Sequence, residues 1–459
     1  MNNKFKRIMS LLLSATLITV SATSLFGCNK ETKRAFVEKR DKILFVSCVV
    51  PEFTDEAFSL MADCGFDMFE LAEYESGPTG GEKCREVIRL GKKHGMDTMV
   101  FLTNAGVSDK YTGDDNLYTY DFSKDSELYE AMPFIGMADE PHYKHFDMVA
   151  SWIPRYEKQY LDKVFYVNLF PEYVGESELG GYTYNKYVKD FCDKVLRKLS
   201  GEKWLAMDYY PYSFNENSQT NGEMFYSWLH NLAIMQTNLK TIEDGHMILH
   251  FQTSSFSGNR EVYEPDMRQQ LYMNLAFGAE MINCYSYAKP IGNELHGEGK
   301  ISMLDDNGVP THIYYDVQRI IKEARLFEKV YLEYQYDGTK AYLPNESYNK
   351  NVYSAAIEAL NDGELTVILD KFEKINSLYS TQETVVSQFY NKENEFAYIA
   401  VNYSDPIKEK YDEVIFDFDD DVNEVEVYRK GIKNTIKLNN NVLQMVLEPG
   451  EGCMIIPKY

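Results

Sequence analysis

The chain has 459 residues, and 71 acidic against 47 basic side chains give it a formal charge of −24 at pH 7. So acidic a body repels nucleic acid and anionic lipid surfaces, because binding either depends on clustered Lys and Arg. Seven cysteines in 459 residues, with no Cys-x-x-Cys pair, exclude a dense disulfide framework.

The first residues read as a secretion signal. Lys4, Lys6 and Arg7 form a positive start, and an apolar stretch runs from Ile8 to Val20. It is too short for a stable membrane span. The stretch ends in Leu25-Phe26-Gly27-Cys28, which is similar to a bacterial lipobox, so Cys28 is the expected lipid attachment site. Plain secretion with a free Cys28 is the alternative. Residues 28–41 would then be a tether, and a lipid chain would hold the rest at a membrane or outer envelope surface, facing away from the cytoplasm. The six later cysteines are expected as buried small residues, with a Cys64–Cys84 bridge as the alternative.

From Lys42 onward, short β-type runs alternate with helical stretches. The runs are Ile43–Val49, Phe66–Leu71, Thr98–Leu102, Phe134–Met137, Val164–Leu169, Trp204–Met207, Met247–Phe251 and Met281–Tyr285. Between them the 3.6-residue period is visible, for instance in Tyr187, Val188, Phe191, Val195, Leu196 and Leu199 on one face. Eight strand–helix units predict an α/β chain folded as a (β/α)8 TIM barrel over residues 42–332. An open doubly wound sheet is the alternative, but no Gly-x-Gly-x-x-Gly follows the first strand. After Leu332 the helical period stops. Val352–Leu360, Leu365–Leu369, Thr384–Tyr390, Phe396–Tyr403, Glu413–Phe418, Glu424–Tyr428, Val442–Leu447 and Cys453–Pro457 read as strands, with Asp362-Gly363 as a hairpin turn. Residues 333–459 are therefore expected to form an all-β sandwich.

Residues just past the C-terminal ends of barrel strands build the active site of such a fold. In this chain those positions hold Glu70, Asn104, Asp139 and Glu140, Asn168 and Glu172, Asp208 and Tyr210, Gln252, and Tyr285. Carboxylates and amides engage sugar hydroxyls, and aromatic faces cover sugar C–H faces. The expected substrate-binding set is Asp139, Asn104, Asn168, Tyr210, Gln252 and Tyr285. Cutting a glycosidic bond needs two carboxyl groups, one to protonate the leaving oxygen and one as nucleophile or base. Glu140 is the expected acid. Asp208 is its expected partner, with Glu70 and Glu172 as alternates. Two competing roles stand beside these: an Asp139-Glu140 turn capping the next helix, and an Asp208 that only orients a hydroxyl or an arginine. Strands spaced about 4.8 Å apart would put the ends of the fourth and sixth on the order of 9 Å apart, nearer the spacing of inverting enzymes.

No cofactor or metal is expected. His246 and His250 lie about 13 Å apart along one strand and cannot share an ion. His142 and His145 have no evident third ligand and read as exposed or substrate-touching.

Four segments carry a resemblance: Gly136-Met137-Ala138-Asp139-Glu140-Pro141, Asn168-Leu169-Phe170-Pro171, Asp208-Tyr209-Tyr210-Pro211 and Phe277-Gly278-Ala279. Through them the chain resembles a clan of (β/α)8 glycoside hydrolases, especially family-42 β-galactosidase-like barrels and related envelope lipoproteins. The resemblance implies an acid/base role for Glu140. Two departures stand out: Asp139 replaces an asparagine, and Gln252 occupies the place of the clan's nucleophilic glutamate. The terminal Leu447–Gly452 segment looks like the last hairpin of a hydrolase β-domain. The resulting expectation is a hydrolase of a neutral oligo- or polysaccharide, inverting in mechanism. A non-catalytic glycan-binding lipoprotein on the same barrel is the second reading.

Overall fold

The computed structural model describes residues 37–72, 77–101, 122–212, 218–256, 258–290, 299–342 and 364–459. Eight parallel strands close into a barrel in sequence order: β1 (Leu44–Ser47), β2 (Met68–Ala72), β3 (Asp97–Phe101), β4 (Phe134–Asp139), β5 (Val164–Leu169), β6 (Lys203–Met207), β7 (Gly245–Gln252) and β8 (Met281–Tyr285). Closure is made by β1 on β8, with Leu44 opposite Met281 and Ser47 opposite Cys284. Each strand is an apolar run because each is covered on both faces. One face turns inward, where Val46, Met99, Phe134, Tyr166, Trp204 and Ile248 fill the barrel. The other, with Phe45, Phe69, Ile135 and Phe165, packs under the helices.

The helices are α1 (Asp55–Cys64), α2 (Gly77–Lys93), α3 (Ser126–Glu130), α4 (Phe146–Tyr160), α5 (Tyr184–Lys194), α6 (Ser218–Leu239), α7 (Glu264–Ala276), α8 (His312–Arg325) and α9 (Glu328–Leu332). Local signals explain their ends. Thr54 accepts from the Ala57 N–H at 3.2 Å to start α1, and Gly65 at φ 106° ends it. α5 starts on Thr183, whose hydroxyl accepts from Lys186 N. The expected face is buried, but it is not one helix. The α-turns stop at Lys194, and Leu196–Lys198 continues as a 3-10 turn.

Antiparallel sheets follow. A six-stranded sheet runs in the order β15 (Ile432–Lys437), β14 (Glu424–Arg429), β17 (Gly452–Lys458), β12 (Phe396–Asn402), β11 (Thr384–Tyr390), β9 (Gln335–Tyr342). A three-stranded sheet, β10 (Ile375–Ser380), β13 (Asp412–Phe418), β16 (Val442–Leu447), faces it. Val386, Tyr398, Val414, Phe416, Val427 and Ile455 are buried in one core shared by the two sheets, a β-sandwich. Three of its strands, β9, β10 and β15, were not expected. β9 carries Asp337 and Gly338 mid-strand, and β15 is exposed along its whole length as a lysine-bearing edge. Leu365–Leu369, expected as a strand, makes only an isolated bridge through Ile368 to Thr339, although Leu365 and Val367 are buried. Leu447–Gly452 turns through Glu451 N to Glu448 O, but β16 and β17 belong to different sheets, so it is a crossover, not a hairpin. Val352–Leu360 and Asp362-Gly363 lie outside the described residues, as does Cys28.

Helix α7 joins the two parts. It is buried nearly all round because the barrel lies on one side and β12 and β17 on the other. Gln269 donates to the carbonyls of Asn402 (2.9 Å) and Ser404 (2.8 Å). Arg260 clamps Asp266 in a bidentate pair at 2.7 and 2.6 Å and reaches Asp405 at 3.4 Å. Cys48, Cys64, Cys84, Cys192, Cys284 and Cys453 are buried and in no disulfide, so the Cys64–Cys84 bridge is not formed.

Candidate active site

The geometry of the site starts from an irregularity in β4. Pairing with β5 shifts register between Gly136 and Ala138. Before the shift the strand alternates normally, with Phe134 inside the barrel and Ile135 under the helices. Met137 and Ala138 then both face the helix layer, which is the signature of a one-residue bulge. The inward parity moves from even to odd, and Asp139 instead of Ala138 opens into the barrel mouth. Gly136 has no side chain because the Phe101 ring occupies the space, 2.5 Å from where a Cβ would stand.

Glu140 follows at φ 47°, a left-handed conformation, and its N–H donates to Asn168 O at 2.8 Å. That bend turns its side chain back over the mouth, where it hydrogen-bonds Asp208, the residue after β6. Tyr187 of α5 donates to Pro141 O at 2.8 Å and holds the turn from outside. Neither carboxyl caps α4, whose N-cap His145 makes no side-chain cap bond. Nor does any arginine meet Asp208 among the described residues.

Asn168, 3% exposed, ties the cluster together. Its amide nitrogen donates to Asp139 Oδ1 at 3.1 Å and to Asp208 Oδ1 at 2.9 Å. Tyr210 donates a further bond to Asp208. Glu70, at the inward position of β2, accepts from the Cys48 thiol. Glu70, Asp139, Glu140 and Asp208 thus share one end of the barrel, with each close enough to a neighbour to feel its charge.

The electrostatics follow from removal of water and from like charges. Asp139 is open to solvent through the mouth but ringed by protein, and lost hydration raises its carboxyl despite the Asn168 bond. Burial, then the charge of Asp139, lifts Asp208 to about 7. Burial, then Asp208 and Asp139, lifts Glu140 to about 10. Burial and Asp139 lift Glu70 to about 7. At neutral pH Glu140 therefore keeps its proton and hydrogen-bonds Asp208 with it.

The opposite wall is aromatic. The Tyr210 ring lies 5.2 Å from Phe256 and 5.5 Å from Tyr285, and Phe256 lies 5.9 Å from Tyr285. Beneath it, His250 is held neutral by burial, at about 3. Tyr166 and Asn283 approach its Nε2 at 3.2 and 3.3 Å, and Tyr210 its Nδ1 at 3.4 Å. The bonds assign a proton to Nδ1, so His250 supports the tyrosine that supports Asp208. His246 lies at the other end of the barrel, stacked on Trp204 and 3.0 Å from Glu280.

The remaining expected residues divide. Tyr285 stands in the mouth. Gln252 is fully buried, and its amide is spent on backbone: Tyr212 N at 3.4 Å, Ser254 O at 3.2 Å and Arg260 O at 3.2 Å. It braces the loops after β6 and β7. Glu172 is held by α6 through His230 (2.9 Å) and Asn231 (3.1 Å). His142 and His145 rings are 5.8 Å apart at their centroids and make no ligand set. Asn104 lies outside the described residues. The spacing of about 9 Å expected between the ends of β4 and β6 does not carry over to the carboxyl groups, because the Glu140 and Asp208 side chains turn inward and hydrogen-bond. Among the described residues no group of three His, Cys, Asp or Glu is arranged to hold a metal ion. Sequence reasoning missed His250, Asn283 and Phe256; the period-2 alternation of β7 and β8 was the signal for the first two.

The fold and site define a closed (β/α)8 barrel with an acidic, aromatic-walled mouth. No known family matches the chain in sequence, and no curated protein does. Solved structures similar to it are glycoside hydrolases. They include α-galactosidase I from Mortierella vinacea (7% identity, TM-score 0.48, covering 93% of this chain and 98% of that one). Another is a GH27 β-L-arabinopyranosidase from Geobacillus stearothermophilus (9%, 0.49, 91% and 97%). A third is a β-galactosidase from the haloarchaeon Halorubrum lacusprofundi (14%, 0.38, 62% and 58%). The chain spans 58% of the length of that last enzyme. These likenesses concern the fold, which stands on its own eight strands.

Proposed function

We propose that the chain is a glycoside hydrolase acting on an oligo- or polysaccharide without anionic groups, with Glu140 as general acid and Asp208 as the second carboxylate. The observation that carries the reading is the contact of Glu140 with Asp208 at the barrel mouth, where burial and the Asp208 charge push the Glu140 carboxyl up to about 10. A carboxyl that keeps its proton at neutral pH can deliver it to a departing glycosidic oxygen. The wall of Tyr210, Phe256 and Tyr285 supports a sugar ring across from it. Substrate entry parts the Glu140–Asp208 bond, leaving the proton on Glu140 and the charge on Asp208. The preference for inversion rested on a wide gap between the two, and that support is gone. Likeness to family-42-type barrels remains part of the proposal, carried by Gly136–Pro141.

The test is hydrolysis of a mixed glycan panel by the wild type, Glu140→Gln and Asp208→Asn, with the first anomer released followed by NMR. Turnover in the wild type and its loss in both variants supports the reading. Full activity in Glu140→Gln overturns it. The glycan-binding alternative draws on Gln252, whose amide is tied to backbone where a nucleophile would stand, and predicts saturable binding without turnover. We also propose attachment to the envelope through a lipidated Cys28. Cys28→Ser should release the chain from the membrane fraction and stop incorporation of labelled palmitate.

A further inference from the structure

Hydrolysis uses two carboxyl groups, and the mouth holds four. Glu70 and Asp139 are left over, and neither is at ease: the protein around them raises both carboxyls, and Glu70 is also pressed by the charge of Asp139. Ordinarily a crowded pair of carboxylates is relieved by an arginine or lysine. Among the described residues no cationic side chain bonds either one. Asp139 has the Asn168 amide, and Glu70 has the weak thiol donor of Cys48.

A second observation is independent of the acids. Two buried amides in the same part of the barrel have carbonyl oxygens with no partner: Asn168 Oδ1, in a residue 3% exposed, and Asn283 Oδ1, in a residue with no exposure. Their nitrogens are committed, Asn168 to Asp139 and Asp208, and Asn283 to Tyr166 and His250. A buried acceptor left without a partner is costly unless a ligand satisfies it. Among the described residues, these two orphaned amide atoms are both acceptors, and they stand beside the carboxyl oxygens of Glu70 and Asp139.

A sugar hydroxyl can donate one hydrogen, but it brings lone pairs that these acceptors cannot satisfy. An alkylammonium brings three donors, no acceptor and a positive charge. From this we infer that Glu70 and Asp139 form a subsite for the protonated amino group of an unacetylated amino sugar. The inference rests on the proposed function only for the ligand being a sugar. It narrows a non-anionic substrate to a cationic one. An N-acetyl group fits badly, because acetylation removes the charge and two of the donors and adds a carbonyl acceptor.

Binding tests this without requiring turnover. Methyl glucosaminide and methyl galactosaminide would be titrated into the full chain by ligand-observed NMR, beside methyl glucoside, methyl galactoside and the N-acetyl forms. The amino sugar should bind about tenfold more tightly than its hydroxyl counterpart, as charge-assisted bonds predict. Glu70→Gln and Asp139→Asn should each shrink that ratio several-fold (~3-fold or more) and the pair together should erase it. Thermal unfolding of each variant checks folding, and either single variant suffices if the other is lost. Equal binding of amine and hydroxyl sugars overturns the inference, as does a preference that survives the double substitution. Amine preference without hydrolysis of any glucosaminide would keep the subsite and sink the hydrolase reading. Hydrolysis of neutral glycans without amine preference would do the reverse.

Discussion

The two ends of the barrel use carboxylates in opposite ways. At the base, acids meet cations. Asp67 is paired with Arg325 at 2.6 Å and Lys42 at 2.8 Å, Glu328 with Arg325 at 2.7 Å, and Glu202 with Arg40 at 3.1 Å. Asp67 also accepts from Phe45 N, and Glu328 from Ile43 N, so both fasten the start of β1. At the mouth, Glu70, Asp139, Glu140 and Asp208 meet one another, an amide, a thiol and a tyrosine. The same side-chain chemistry serves cohesion at one end and is left unresolved at the other. Barrel folds separate stability from catalysis in this way, and the unneutralised end is where proton chemistry belongs.

The largest effect that would break this contrast is on turnover. Glu140→Gln and Asp208→Asn should each lower kcat by roughly 10²–10⁴-fold while leaving unfolding temperature intact or raised. An Arg325→Met substitution at the base should do the converse. It leaves Glu328 without its cation and Asp67 with Lys42 alone, and should cost about 2–4 kcal/mol in denaturant unfolding with little change in KM.

The next effect is pH dependence. Ionised Asp208 and protonated Glu140 coexist only between their two titrations, so activity should rise through about pH 7 and fall towards about pH 10. An optimum near pH 5 would contradict the assignment. Asp208→Gln or Asn should move the alkaline limb downward in any residual activity, because the charge that holds the Glu140 proton is gone.

Smaller still is the stability of the mouth itself. Asp139 has a folded pKa above its unfolded value, so folding favours its protonated form, and its contribution to stability declines as pH rises past the unfolded value. Asp139→Asn removes that cost and should raise the unfolding midpoint slightly at pH 7, a small gain because solvent at the mouth screens the carboxylate, with the gain vanishing in acid. Lys42→Met, which removes a half-exposed partner of Asp67, marks the lower end at under about 1 kcal/mol.

Much of this contrast was readable in the sequence. Eight apolar runs gave the barrel because parallel strands are buried on both faces and read as mostly apolar. The rule that side chains at strand ends line the mouth pointed to Glu140, Asp208 and Asn168, which the fold brings together. What escaped was local geometry. Extending β4 by strict alternation leaves Asp139 facing the helices, and no composition signal marks the bulge that reverses it. Gln252 sits at a strand end like the others, yet its contacts depend on loops whose path the sequence does not specify. In the sandwich, β9 and β15 lacked an apolar face because one carries Asp337-Gly338 and the other is a solvated edge.

The bulge at Met137 also ties the chemistry of the mouth to the pairing of one strand. Side chains along a regular strand have only two addresses, and adjacent residues share one only at a bulge. Loss of Met137 alone would remove the bulge and keep Asp139 opposite Asn168, because Phe134 and Asp139 would then stand an even number of residues apart. Straightening β4 at its full length would instead send Asp139 into the apolar layer beneath α4 while every carboxylate stayed in the sequence. The register of β4 on β5, and not the presence of the acids alone, therefore decides what the mouth holds.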